Sequence, residues 1–444
     1  MLSLQPFLTA YDPSDLPGSS VDPLGFDRGY TLLADKILPG LTNVASRPRY
    51  LSAMCAAIYI SDERSVDTDA SPRARRERRV AATQRLERLW TLGCVLASRD
   101  DESLSSEGVR GIRYVQAATR RLDETEARDT EGDFRLLSRQ LTYGMMGIYA
   151  SVAEMLKFLD RETLALGPEL GERVAKAFVS ETGMPNGLQK AIVEGGPVNL
   201  TTLKKWATSA HLGAQPGKLE AHALDEAFQA SDVRHRMGAL LVEHVALDDE
   251  PELTRLRRIA RALAGVERDP DLREALRAIV AFEECYRAAL LAFQRVLWFC
   301  QAEPPFQYDL ARAGQDEVIA LAQLELRGAG ARLQAAVDEG VTLTFRENLD
   351  RLRDVRAFVE AASGDSTPAG FVERILARHR DVQRAKFTRG RSKMAWLEVR
   401  NGAVAPTLAV AQHLNLAPDT IEGMPAHPYR TAAADRFCAM GTIS

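Results

Sequence analysis

The stretch from Pro270 to Gln301, PDLREALRAIVAFEECYRAALLAFQRVLWFCQ, decides the fold class. Leu272, Leu276, Ile279, Tyr286, Leu290, Phe293 and Leu297 recur at spacings of three and four, the mark of one continuous helix face. That row predicts about nine turns of core-facing helix. Glu283 alone interrupts it. Carboxylates are rarely fully buried, so Glu283 and its neighbour Glu284 are expected to be solvated or ion-paired.

Helical periodicity spreads outward from there. Downstream, helices are predicted over 315–339, 344–363 and 368–386; upstream, over 74–98, 108–126, 134–159 (as one helix or two, with a small-residue waist at Gly144 and Gly147) and 169–181. Near the end, Arg400-Asn401-Gly402-Ala403 lies between two apolar segments, and Asn-Gly is the favoured centre of a type I′ turn. No fixed-period repeat is visible. The chain is therefore read as mainly α, a multi-helical, non-repeat assembly with one small β-hairpin near the C-terminus. Gly183, Pro185, Gly187, Gly195, Gly196, Pro197, Gly213, Pro216 and Gly217 crowd one segment. The division expected from this is an N-terminal helical domain over 1–182, a connecting segment over 183–218, a C-terminal helical domain over 219–387, and a basic loop, hairpin and tail over 388–444.

The N-terminal part is organised around Asp22 to Ile60, DPLGFDRGYTLLADKILPGLTNVASRPRYLSAMCAAIYI. A Pro-Gly turn leads into a short amphipathic helix, Pro39-Gly40 stops it, and Arg47 and Arg49 open an apolar helix from Tyr50. Eleven residues are too few to cross a bilayer, so that helix is expected to be central and buried. Arg47, Arg49 and Tyr50 stand at its positive end and form a candidate anion or partner site, weighed against the commoner role of capping neighbouring segments.

Bulk properties narrow the function classes. Among 444 residues, 45% are apolar, which is ample for a core, and the net charge of −4 argues against a generic polyanion binder. Any phosphate contact must come from a local patch. The widely spaced Cys55, Cys94, Cys285, Cys300 and Cys438 suggest neither a disulfide framework nor a zinc site. The N-terminus lacks a signal-peptide pattern and no run reaches about 18 apolar residues, so a cytoplasmic protein with no membrane contact is expected. Gly213-Ala-Gln-Pro-Gly217-Lys218 falls one residue short of a phosphate-binding loop, and Leu219 stands where Ser or Thr belongs. Gly328 and Gly330 lack the third glycine of a dinucleotide turn. None of the seven histidines sits in a zinc-protease motif, and there is no nucleophile elbow. No catalytic residue, cofactor or metal is expected.

Basic clusters remain. Residues 371–400 hold Arg374, Arg378, Arg380, Arg384, Lys386, Arg389, Arg391, Lys393 and Arg400 against three acidic residues, a pattern suited to DNA or RNA phosphates. A second cluster runs from Arg73 through Arg75, Arg76, Arg78 and Arg79 to Arg85 and Arg88; Arg75, Arg76 and Arg79 join the candidate anion or partner site. Internal pairing with acidic stretches is the alternative for both.

The set Asp22-Pro-Leu-Gly25, Leu38-Pro-Gly40, Arg47-x-Arg-Tyr50, Arg139-Gln-Leu-Thr-Tyr-Gly144 with Tyr149, Lys386 to Val399 and His427-Pro-Tyr-Arg430 resembles helical proteins of unknown function found among bacterial antiphage-defence and mobile-element genes. The resemblance implies a subunit that works with other defence proteins and carries no defined catalytic residues. The expectation is a non-catalytic scaffold or adaptor subunit of a multiprotein complex, touching nucleic acid through Arg374–Arg400. An enzyme with a dispersed site, such as a nuclease or nucleotide-processing protein, is one alternative. A purely protein-binding regulator is the other.

Overall fold

The structure, a computed structural model, describes residues 22–65, 70–265, 269–302, 306–339, 350–388, 391–407 and 417–442. Two compact units divide the chain. The first takes Met1–Ile37 and Ala246–Tyr429, and the second takes Leu38–Val245 and Arg430–Ser444. Among the described residues there are seventeen α-helices and seven short strands, so the architecture is mainly α. None of the described helices is long and apolar enough to cross a membrane.

After a turn at 22–25 comes α1 (Asp27–Ile37), which belongs to the first unit. The second unit then takes α2 (Arg49–Glu63), α3 (Pro72–Ser98), α4 (Ile112–Glu124), β1 (Asp129–Thr130), α5 (Gln140–Tyr143), α6 (Met145–Met155), α7 (Leu170–Glu181), α8 (Asn186–Glu194), β2 (Val198–Asn199), α9 (Leu200–Ala210), α10 (Lys218–Gln229) and α11 (Asp232–Glu243). The chain re-enters the first unit with α12 (Glu252–Ala262), α13 (Pro270–Ala302), β3 (Tyr308–Asp309), α14 (Glu317–Glu339), α15 (Asp350–Ser363), α16 (Pro368–Ala385), β4 (Phe387–Thr388), β5 (Arg391–Ser392), β6 (Leu397–Arg400) and β7 (Ala403–Pro406). Finally α17 (Thr431–Gly441) completes the second unit, packing on α10 and α11.

In the second unit α2 is the centre. Its apolar residues cover the whole circumference, and α3, α6, α7 and α8 surround it. Residue Ser71 starts α3 by accepting from the Ala74 amide, with Pro72 at the first helical position. The 134–159 region is a helix pair that breaks at Gly144. A Cβ there would lie 2.4 Å from the Gln140 carbonyl and 2.7 Å from the Glu87 carboxylate. Only a glycine fits, because the buried Glu87 is the cap of α6 and accepts from the Met145 amide at 2.6 Å. Burial raises the Glu87 carboxyl above its ordinary range, against the hydrogen bonds it accepts.

The structure divides the chain at other places than the Gly- and Pro-rich 183–218 segment. That segment carries α8 and α9, both packed on α3. Two of its glycines serve helix ends: Gly183 and Gly195 have φ of +62° and +84°, which terminate α7 and α8. Short helices with tight turns give the same composition as a linker.

In the first unit α13 is the spine, with twenty of its 33 residues buried against α1, α12, α14 and α16. Helix α1 approaches it closely at Gly29, where a Cβ would meet the Phe282 ring at 2.7 Å. The Phe26 ring lies 5.3 Å from both Phe282 and Tyr286. The hairpin forms as expected: β6 and β7 pair antiparallel, and Asn401 and Gly402 take φ of +52° and +79°, the geometry of a type I′ turn. It does not stand alone. Strand β3 adds to β7, β4 pairs with β5, and in the second unit β1 pairs with β2.

Candidate functional site

The hub arginines are spent inside the second unit. Arg49 is buried; its Nε and Nη2 donate to Glu220 at 3.3 and 3.2 Å, and its Nη1 donates to the His211 and Ala214 carbonyls at 2.6 and 3.3 Å. Glu220 is itself fully buried, so the pair neutralises itself where water is absent. The Tyr50 hydroxyl accepts from the Arg110 amide at 2.8 Å, while its ring stacks on Tyr149 and meets Trp90 edge-on. Burial raises that hydroxyl's pKa far above the usual phenol value. Arg47 differs: it pairs with the exposed Glu107 at 3.1 Å and lines an open cleft of about 270 Å³ with Pro48, Leu212 and Arg436. Of the three hub residues proposed to meet an anion, the structure turns Arg49 and Tyr50 inward and leaves Arg47 at an opening.

Much of the α3 cluster is likewise structural. Arg79 grips Asp62 through two nitrogens and donates to the Thr163 carbonyl at 2.9 Å, and Arg76 donates to the Glu162 carbonyl at 2.8 Å. Arg85 serves the last carbonyls of α8, at 2.5 Å from Val193, and Arg88 donates to the Gly132 carbonyl. Arg73 makes a surface pair with Glu77. Arg75 is exposed.

The 371–400 cluster splits. Three consecutive carbonyls of the 22–25 turn are held from α16 and its end: Lys386 donates to Asp22 at 2.6 Å, His379 Nδ1 to Pro23 at 2.9 Å, and Arg378 Nε to Leu24 at 2.8 Å. Arg378 also makes a two-pronged pair with Asp354 at 2.9 and 2.7 Å. His379 accepts the Trp396 amide on its other nitrogen at 2.9 Å, so one neutral ring joins the turn, α16 and the edge of the hairpin. Burial lowers its pKa to about 4, the Pro23 hydrogen bond acting in the opposite sense. Lys386 is also depressed, by burial first. Arg374 pairs with Asp365 at 3.2 Å and Arg400 with Glu398 at 2.9 Å. Arg380, which makes a surface pair with Asp381 at 3.7 Å, and Arg384, four residues on, are exposed, and Lys393 is half-buried. Arg389 and the side chain of Arg391 lie outside the described residues.

Two arrangements in the first unit escaped the sequence reading. The first concerns Glu283, which is ion-paired, as one of the two expected outcomes had it, but with His427 in a completely buried position rather than at the surface. Its Oε2 accepts the His427 amide at 3.0 Å, and its Oε1 accepts His427 Nδ1 at 2.8 Å and the Tyr429 hydroxyl at 2.6 Å. Asp27 faces the other ring nitrogen at 3.5 Å, and Tyr30 stacks on the imidazole at 4.8 Å. Burial by itself would lower His427, but hydrogen bonds and charge from Asp27 and Glu283 outweigh it and raise the pKa to about 9. One turn along α13, Arg287 donates to the Met424 and Glu422 carbonyls at 2.9 and 2.7 Å. Together these groups clamp the 422–429 segment onto α13. The sequence signals were the break in the α13 row at 283 and the His427-Pro-Tyr429 run. The second arrangement is a cleft of about 340 Å³ between α12, α13 and α14.

Among the described residues no group of three or more His, Cys, Asp or Glu is placed to hold a metal ion. Comparison with family models, curated proteins and solved structures yields no match.

Proposed function

We propose that the chain is a non-catalytic scaffold or adaptor subunit of a bacterial multiprotein complex, of the antiphage-defence kind its motifs resemble, and that it touches nucleic-acid phosphates along the outer face of α16. One observation carries the reading: α16 sorts its cations. Arg378 and Lys386, beside the neutral His379, turn inward to hold the 22–25 turn, whereas Arg380 and Arg384 stand on the exposed face. The Lys393 amide is bonded to the Lys386 carbonyl at 3.0 Å, which holds the backbone of a further, half-buried lysine beside the end of α16. Exposed guanidiniums at helical spacing favour phosphate oxygens, and such contacts position a backbone without reading its bases.

The test is fluorescence anisotropy of a short duplex DNA and a single-stranded RNA across a salt series, comparing the native chain with an Arg380→Glu/Arg384→Glu double variant. Two lost phosphate contacts should lower the slope of log affinity against log salt by about 2 for duplex DNA. Unchanged affinity and slope would remove nucleic acid from the reading. Copurification from the native host after nuclease treatment then shows whether protein partners persist, as a scaffold requires.

A further inference from the structure

One buried hydroxyl of the first unit has no partner. Tyr308 is 3% exposed, its backbone is fixed opposite Val404 by the β3–β7 pairing, and its ring packs 5.4 Å from Phe299. Its oxygen makes no hydrogen bond. An unmet buried hydroxyl costs stability, so its persistence calls for a reason. Tyr308 lines a pocket of about 380 Å³ formed by the end of α13, the 3₁₀ turn at Leu310–Gln315 and the start of α14. Burial raises the hydroxyl's pKa first, and the charges of Asp316, Arg295 and Arg312, all from the same pocket, act on it next. The oxygen therefore sits on the pocket side of the ring. Arg312 is exposed and rests over the Phe299 ring at 6.0 Å, so it is free to swing with an entering ligand.

The other polar groups of the pocket divide into committed and uncommitted ones. Arg295 donates from Nε to Asp316 at 3.1 Å and from Nη1 to the Pro418 carbonyl at 3.4 Å, with its guanidinium 4.8 Å from the Phe299 centroid. Asp316 spends its second oxygen on the Val318 and Ile319 amides, at 3.0 and 3.4 Å, and so caps α14. One cation, one anion and two neutral groups remain: Arg312, Glu317, the Gln315 carboxamide and the Tyr308 hydroxyl. Arg312 and Glu317 are exposed on the same pocket, yet among the described residues neither makes an ion pair, with the other or elsewhere. Opposite charges held apart across one opening are complemented by a molecule that carries both signs close together. We infer that this pocket binds a free α-amino acid, its carboxylate taken by Arg312 and the Tyr308 hydroxyl and its ammonium by Glu317. A bare anion would face Glu317 as a like charge, and a polyamine would face Arg312 so. The volume lies at the lower end of the range for small-molecule pockets and leaves room for a ligand side chain beside Phe299 and Val318. The site is separate from the α16 strip and does not rest on it.

Isothermal titration of the full chain with the common amino acids, one at a time and at millimolar concentration, tests this. At least one should bind saturably, and its N-acetyl and carboxamide derivatives, each lacking one of the two charges, should bind weaker by about tenfold or more. Arg312→Gln should erase the preference over the carboxamide, and Glu317→Gln the preference over the N-acetyl derivative. Both positions are exposed, so the fold tolerates these exchanges. Tyr308→Phe should weaken binding by about tenfold, yet leave the melting temperature of the unliganded chain unchanged or higher, because it removes an unmet hydroxyl and no hydrogen bond. Loss of a hydroxyl that served the fold would lower that temperature instead. The Arg380→Glu/Arg384→Glu variant should bind the amino acid as the native chain does, which separates this site from the α16 strip. No saturable binding by any amino acid, derivatives that bind as tightly as their parent, or a Tyr308→Phe chain that melts lower and binds normally would each overturn the inference.

Discussion

Replacing His427 with glutamine should flatten the alkaline limb of the stability curve. The imidazole is enclosed by Asp27 and Tyr30 from α1, by Phe282, Glu283 and Tyr286 from α13, and by Tyr429 of its own segment, whose hydroxyl shares the Glu283 oxygen. Its folded pKa is about 9, and the unfolded reference for histidine is about 6.5. The folded value is the raised one, so the stabilisation is fully present below about pH 6.5. Between there and about 9 the unfolded chain gives up its proton first, and the contribution drains away. Roughly 2.5 units at about 1.36 kcal/mol each make this worth on the order of 3 kcal/mol. For a unit of this size that corresponds to roughly 6–12 °C in melting temperature. Thermal unfolding of the native chain and His427→Gln at a series of pH values from about 6 to 9.5 reads the effect. The gap between the two should be widest at the acid end and narrow steadily toward the alkaline end. Glu283→Gln, which removes the closest carboxylate, should abolish most of the same pH dependence. Parallel curves for native chain and His427→Gln across this window would refute an ion-paired imidazolium at this position.

Two further outcomes follow from buried groups in both units. Arg49→Ala should destabilise the second unit by about 3–5 kcal/mol, measured by chemical denaturation, because it leaves the Glu220 carboxylate buried and unpaired. An Arg49→Met/Glu220→Leu double variant should recover much of that loss, and equal losses in the two would argue against a desolvated pair. Under native conditions an aromatic disulfide reagent should modify Cys438 first, since Cys55, Cys94, Cys285 and Cys300 are buried; burial pushes the Cys94 and Cys300 thiols up to about 12. Rapid modification of four or more thiols before unfolding would contradict that burial.

The helices were legible because their period is local. The stretch Pro270 to Gln301, read from the row of Leu272 to Leu297, marks α13 to within a residue of its observed ends, and Asn401-Gly402 specifies its turn from two side-chain types. The fate of the charges was not legible, because their partners lie far away in the chain. Arg378 meets Leu24 across 354 positions, Glu283 meets His427 across 144, and Arg49 meets Glu220 across 171. Local density shows that Arg374 to Arg400 is basic, but it carries nothing about which of those side chains turn inward to hold carbonyls. The cleft between α12, α13 and α14 is invisible for the same reason: its arginines come from three helices, each of which reads alone as an ordinary amphipathic surface. Composition also misplaced the boundary at 183–218, since glycine ends a short helix as readily as it loosens a linker.

The chain passes from one compact unit to the other three times, and this sets an order of events on the ribosome. Helix α1 emerges early with Leu32, Leu33 and Ile37 ready for burial, yet the α13 face that receives it is made about 250 residues later. At ordinary elongation rates that is a wait of roughly ten to fifty seconds. The second unit gains all its helices except α17 during that interval, so it can condense while the nascent α1 segment still carries an uncovered apolar stripe. A translation pause between 246 and 302 prolongs that exposure, and chain termination before α13 leaves α1 without that partner.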